Sequence, residues 1–167
     1  HLSFYDLETG SNLTGDANGL SESGKSFIEG ILDHLPALQA VTSPSVNSYR
    51  RLGVGCWTGS RVEWSVEDKE CPLLVCRDMV CSSVMEHVEY KVNDACANIY
   101  LSLACVLSNR MDGLSRHLEL RPSRLECKAA PSLPTSLDES LDCLEQDTYL
   151  MDMMGEELSR SYLALRK

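Results

Sequence analysis

The strongest constraint on this chain is a change in the period of its apolar residues. Phe27, Ile28, Ile31, Leu32, Leu35 and Leu38 recur at helical spacing, which predicts an amphipathic helix of about five turns. Ser21 is placed to cap its start, and Pro36 to bend its last part. After a loop-like stretch from Thr42 to Gly59 the period drops to two. Val62, Trp64 and Val66 alternate with Arg61, Glu63 and Ser65, and Pro72 to Cys76 is a short apolar run. In the stretch Val84 to Val92, residues Val84, Val88, Tyr90 and Val92 share one strand face; Met85, His87, Glu89 and Lys91 share the other. Helical spacing then returns. Asp94 and Asn98 both offer caps for a helix whose buried stripe is expected to be Tyr100, Leu103, Ala104 and Leu107, stopping near Asp112-Gly113. Residues 120–135 carry three prolines and read as a loop. Ser136 to Glu139 forms a capping box, and Leu158, Tyr162 and Leu165 belong to a last helix after Gly155. Helix, several strands, then three helices is an α+β order with the helices segregated from the sheet.

The 167 residues are near the size of one ordinary domain, and 43% hydrophobic with 24% charged residues is globular usage. With 25 acidic against 15 basic side chains the formal charge is −10. That charge repels phosphate backbones and anionic lipid, so neither nucleic acid nor a membrane is an expected partner. No run of about 18 apolar residues exists to span a bilayer. The first residue is His1 and lacks a signal-peptide context, so the chain is expected to be a cut piece or mature segment of a longer protein.

Two features carry chemistry. An imidazole, a carboxylate and an ammonium group (His87, Glu89, Lys91) line one strand face; the bland alternative is a solvated face with a weak ion pair. The eight cysteines contain no Cys-x-x-Cys pair, and Cys71, Cys76 and Cys81 are too widely spaced for a zinc knuckle. Most sit among apolar neighbours, so reduced, buried thiols in a cytoplasmic setting are expected.

A series of words along the chain is more specific: His1-Leu-Ser-Phe, Gly19-Leu-Ser, Asn47-Ser-Tyr-Arg-Arg-Leu52, Val88-Glu89-Tyr-Lys91 with Asp94, Ala97-Asn-Ile-Tyr-Leu101, Met111-Asp-Gly-Leu114 and Leu133-Pro-Thr-Ser-Leu137. In this order and spacing, with a small insertion around residues 77–83, the chain resembles the C-terminal portion of the glutamine synthetase catalytic domain. The resemblance implies that residues 1–167 are a partial catalytic domain, lacking an N-terminal β-grasp domain and the first part of the catalytic domain. An antiparallel sheet would line the site, with helices packed outside. It implies ATP-dependent amide formation from glutamate and ammonia through an acyl phosphate. ATP and magnesium or manganese would serve as cofactors, and the subunits would form a homo-oligomeric ring that shares sites between neighbours. Residue by residue, it makes Arg51 and Lys91 substrate contacts and Glu89 a metal ligand. His1, Ser3 and Lys69 fall at the nucleotide. His87 stands where the family carries an arginine.

Other positions depart from the pattern. The family's flap, Pro-Gly-Tyr-Glu-Ala-Pro, reads Val54-Gly-Cys-Trp57-Thr-Gly59, so Trp57 replaces the glutamate that helps deprotonate ammonium. Glu67 and Leu74 replace phosphate-binding arginines, leaving no catalytic residue to assign in the flap and ATP–metal binding by this chain in question. Each lost donor of that kind costs on the order of 10²–10³ in rate. Two readings remain open: a ligase with weakened activity, and an inactive structural or interaction protein of the lengsin type. A narrower variant has Trp57 reshaping the entrance for a bulkier amine.

Overall fold

The computed structural model describes residues 1–78, 84–127 and 129–167. The insertion expected around 77–83, and Cys81 with it, lies largely outside the described residues. A short hairpin, β1 (Gly15–Asp16) and β2 (Gly19–Leu20), leads into α1 (Glu22–Asp33), whose N-cap is Ser21 as expected, its hydroxyl accepting from the Gly24 amide at 2.8 Å. The expected five-turn helix is two helices. It stops at His34 and restarts as α2 (Leu35–Thr42), because Pro36 lacks the amide and crowds the carbonyl that a continuous helix needs. Pro36 instead occupies the first turn of α2, where its fixed φ is tolerated.

A 3₁₀ turn (Ser48–Arg51) precedes the sheet, which contains β3 (Trp64–Val66), β4 (Leu73–Arg77) and β5 (Met85–Tyr90) in the order β3-β4-β5. β4 and β5 are antiparallel, but β3 runs parallel to β4, so the sheet is mixed. Glu67 turns the chain back in the left-handed region, at φ 58°. Leu2 bridges Val88 on the far side of β5, with reciprocal amide–carbonyl bonds of 2.7 and 2.8 Å.

The register shifts between Cys76 and Arg77, so Cys76 faces His87 but Arg77 faces Met85. The extra residue, Glu86, is a bulge that reverses the side-chain parity upstream of it. Met85 therefore joins Val88 in the core rather than sharing a face with His87 and Glu89. Leu73, Val75, Met85 and Val88 form one apolar cluster with Phe27, Ile28, Ile31 and Leu32 of α1 and Leu35 and Leu38 of α2.

After the sheet come α3 (Ile99–Ser115), α4 (Leu137–Gln146), α5 (Thr148–Met154) and α6 (Glu156–Arg166). Four helices stand where three were expected, the additional one containing the Met151–Met154 stretch. Asn98 and Ser136 cap as expected. The stripe on α3 is reversed: Ser102, Cys105, Val106, Asn109, Asp112 and Gly113 are buried, while Tyr100, Leu103, Ala104 and Leu107 are exposed. Gly113 is not a stop signal. It lies inside α3, where a Cβ would sit 2.1 Å from the Ser26 carbonyl oxygen and 2.7 Å from the Gly30 Cα of α1. The small-residue face of α3 lets the two backbones touch, and the large apolar side chains are turned outward. In α6, Tyr162 is buried but Leu158 and Leu165 are exposed. Two residues of the expected stripe are thus corrected to surface positions.

Candidate functional site

The chemistry gathers on the face of β4–β5 opposite the core. Leu74 pairs with Glu89 and Cys76 with His87, while their neighbours Leu73, Val75 and Val88 point inward. Lys91 follows β5; its amide bonds the Pro72 carbonyl at 3.0 Å and its Nζ the Lys69 carbonyl at 2.8 Å. A pocket of about 570 Å³ opens here, its wall including Trp57, Lys69, Leu74, Glu89, Lys91 and Asn93. The fold thus brings together Glu89, Lys69 and Lys91 with the departures Trp57 and Leu74. His1 sits at the rim, Nε2 3.8 Å from Glu89 Oε1 and its ring centroid 4.9 Å from that of His87. Ser3 is exposed on the same edge segment and is outside the pocket wall. Glu67 also lies outside that wall, facing Arg77 at 3.9 Å.

The flap is held by short contacts. Its Gly55 amide donates to Glu70 Oε2 at 3.0 Å, and Thr58 Oγ1 to the Arg51 carbonyl at 2.9 Å. Gly59, at φ 76°, fits against Pro72, where a Cβ would lie 2.4 Å from Cδ. Trp57 is 64% exposed and adopts φ 59°, a region that bulky side chains rarely enter and that stores strain at functional loops. Lys69 Nζ lies 5.1 Å from its ring centroid, within cation–π range. At the position where the resemblance expects a proton acceptor, the flap presents a π face that binds a cation and accepts no proton.

Arg51 is used for positioning within the chain. Its Nε meets Asp94 Oδ2 at 3.3 Å, and its terminal nitrogens donate to the carbonyls of Lys91 at 3.1 Å and Val92 at 2.5 Å. The Asp94 carboxyl is held below its ordinary range, first by the Cys96 amide and further by Ser48 and Arg51. Arg51 therefore ties the base of the flap to the exit of β5 and is outside the pocket wall.

A hard divalent cation needs several oxygen ligands. The pocket wall supplies one carboxylate, Glu89, flanked by two ammonium groups. These residues alone do not fit a magnesium or manganese site. Sequence reasoning missed Cys76 and Asn93. Cys76 was detectable as the cross-strand partner of His87 once the register was known, because pairing puts both on one face. The expectation of buried thiols holds for Cys71 and Cys105, which burial pushes up to about 11 and about 12. Cys56, in the flap, and Cys96 are exposed. A wider cavity of about 1270 Å³ lies elsewhere, between α1, β3 and the segment after α3, and holds none of the expected site residues. No helix among the described residues is long and apolar enough to cross a membrane.

The described residues thus form an α+β domain with a carboxylate–lysine pocket on the face of a small mixed sheet opposite its core, bordered by the segment around Trp57. The family model "Glutamine synthetase, catalytic domain" matches residues 1–167, and the chain belongs to that family. It is 31% identical to the glutamine synthetase of Methanocaldococcus jannaschii over 99% of this chain and 37% of that protein. It is 34% identical to the gamma-glutamylpolyamine synthetase GlnA3 of Streptomyces coelicolor, over 99% of this chain and 38% of that one. A crystal structure described as a novel glutamine synthase homolog superimposes with a TM-score of 0.81 at 31% identity, covering 95% of this chain and 38% of the other. The chain thus spans well under half the length of these relatives.

Proposed function

We propose that residues 1–167 form the C-terminal share of a glutamine synthetase-type ligase site, and that this share serves phosphoryl transfer poorly. The observation that carries the reading is the pairing of Leu74 with Glu89 across β4–β5. The metal-ligand position of the resemblance is opposed by an apolar side chain where a guanidinium is expected. In such a reaction the protein contributes mainly positioning and charge stabilisation of the transferring phosphoryl group. Lys69 and Lys91 remain to do that work, and neither offers the bidentate fork of arginine. Glutamate would be the acid, with ATP and magnesium or manganese as cofactors held largely by residues outside this chain. The amine could be ammonia or, by analogy with the polyamine-named relative, a larger amine admitted beside Trp57.

The test is a γ-glutamyl hydroxamate and phosphate-release assay on the full-length protein, with magnesium or manganese and with ammonia or polyamine as acceptor. Turnover is expected to fall below an ordinary glutamine synthetase by on the order of 10²–10³ for each missing donor. Turnover equal to that of the Methanocaldococcus relative overturns the proposal. A second reading, an inactive interaction protein, is favoured by the apolar face of α3, where Ile99, Tyr100, Leu103, Leu107 and Met111 are exposed. No turnover with any acceptor, together with self-association through that face, would select it. Ring-like homo-oligomerisation suits either reading.

A further inference from the structure

We propose that His1, Cys76 and His87 form a binding site for a borderline-soft divalent cation of the zinc type, with water in the fourth position. The imidazole and thiol donor atoms of the first three lie within 4.8 Å of one another. Glu89 lies outside this group, its carboxylate 3.8 Å from His1 Nε2. In a tetrahedral site with ligands about 2.0–2.3 Å from the ion, donors are about 3.3–3.8 Å apart. Closing the set therefore needs small side-chain rotations and no backbone movement, because Cys76 and His87 are already cross-strand partners and Leu2 fixes His1 beside β5.

The bulge at Glu86 lies at this corner of the sheet, and such bulges re-aim side chains at sites. Glu86 Oε2 also lies 3.2 Å from His87 Nδ1, the kind of carboxylate partner that fixes the tautomer of a metal-binding imidazole. All three donors are at least partly exposed, so an ion can enter. Nitrogen and sulfur donors favour zinc, cobalt or copper over magnesium. This separates the site from the oxygen-ligated metals that the family's chemistry implies. Cys76 would bind as the thiolate, releasing its proton to solvent.

The test uses Zn²⁺ and Co²⁺ titrated separately into the full-length protein with saturating Mg²⁺ present. One thiolate-ligated ion per chain is expected. Cobalt should give a thiolate-to-metal charge-transfer band and the intense visible bands of tetrahedral coordination, neither displaced by excess Mg²⁺. Cys76→Ser should abolish the charge-transfer band. His87→Arg should weaken zinc by more than about 100-fold, since even outer-shell partners account for 10–100-fold. His87→Gln, which keeps the size of the side chain, should weaken it similarly with an unchanged circular dichroism spectrum. Absence of the thiolate band, its survival in Cys76→Ser, or zinc affinity retained in both His87 variants overturns the proposal. The outcome is independent of ligase turnover, because the readout is the metal alone.

Discussion

His34 occupies the joint between α1 and α2 and is only 7% exposed. Its Nδ1 lies 2.7 Å from Asp147 Oδ2 and its Nε2 3.1 Å from Asp112 Oδ2. The imidazole therefore links the start of α2 to α3 and to the N-cap of α5. Arg116 joins the same group through Asp112 and Asp33, and the Tyr149 ring lies 5.1 Å from the imidazole. Burial pulls the His34 pKa down, but the hydrogen bonds and charges of Asp147 and Asp112 outweigh it, so the net shift is upward. Asp112 is shifted down because His34 and Arg116 outweigh its burial. A histidine raised above its ordinary value of about 6.5 contributes stability that is complete below that pH and is lost as pH rises through the folded-state value. The Asp112 contribution is lost at the other end, as pH falls below the ordinary carboxylate range. The urea midpoint should therefore decline as pH rises from about 6.5 into the alkaline range, and His34→Gln should remove most of that decline. A midpoint flat across this range, or an identical slope in the variant, would rule out the linkage. Nothing in the sequence around His34 marks this role, because its two partners lie 78 and 113 residues away. Glu89, Lys69 and Lys91, each singled out from a local stretch of sequence, come together in one pocket wall. Arg51 was legible as a residue of note, but its three backbone and carboxylate contacts were not.

At the scale of elements, the contact between α1 and α3 rests on two glycines. A Cβ at Gly113 would meet the Ser26 carbonyl oxygen at 2.1 Å, and one at Gly30 the Asn109 carbonyl oxygen at 2.2 Å. Alanine favours a helix over glycine by about 1 kcal/mol, yet the obstructing atoms here are backbone, so the helices must move apart. Gly113→Ala is expected to destabilise the chain by a net of about 2–4 kcal/mol, read from the denaturant midpoint. A neutral or stabilising result would show that the two helices are not in backbone contact. The same packing explains which parts of the fold could be read in advance. Ser21, Asn98 and Ser136 cap helices through amides two or three residues away, so their roles follow from local sequence. The buried face of α3 does not, because a close helix crossing selects small residues and sends Tyr100, Leu103 and Leu107 outward, against the usual inference from hydrophobicity. The bulge at Glu86 was likewise invisible to a period-of-two reading, which assigns Met85 to the wrong face. Pro36 marked a perturbation, and its full effect was a break.

For the whole molecule, the net charge of −10 and the apolar face of α3 act in opposition. Ile99, Tyr100 and Met111 are 72%, 84% and 61% exposed, and with Leu103 and Leu107 they form a stripe at helical spacing. Contiguous apolar patches of this kind mark association surfaces. The like charge of two copies keeps them apart over about a Debye length, which shrinks from about 30 Å at 0.01 M salt to about 8 Å at 0.15 M. The isolated chain should therefore be largely monomeric at low ionic strength and associate as salt is raised, the reverse of an assembly held by surface ion pairs. Sedimentation velocity over a range of concentration and salt reads this directly. Leu103→Lys together with Met111→Glu leaves the net charge unchanged and interrupts the stripe at exposed positions, so folding should be unaffected. The dissociation constant should rise by about tenfold or more, equivalent to at least about 1.4 kcal/mol. If the double variant associates as strongly as the parent, the contact lies elsewhere, and the β3 side of the sheet becomes the surface to mutate. If association weakens with salt in the parent chain, charge pairing rather than the apolar face drives it.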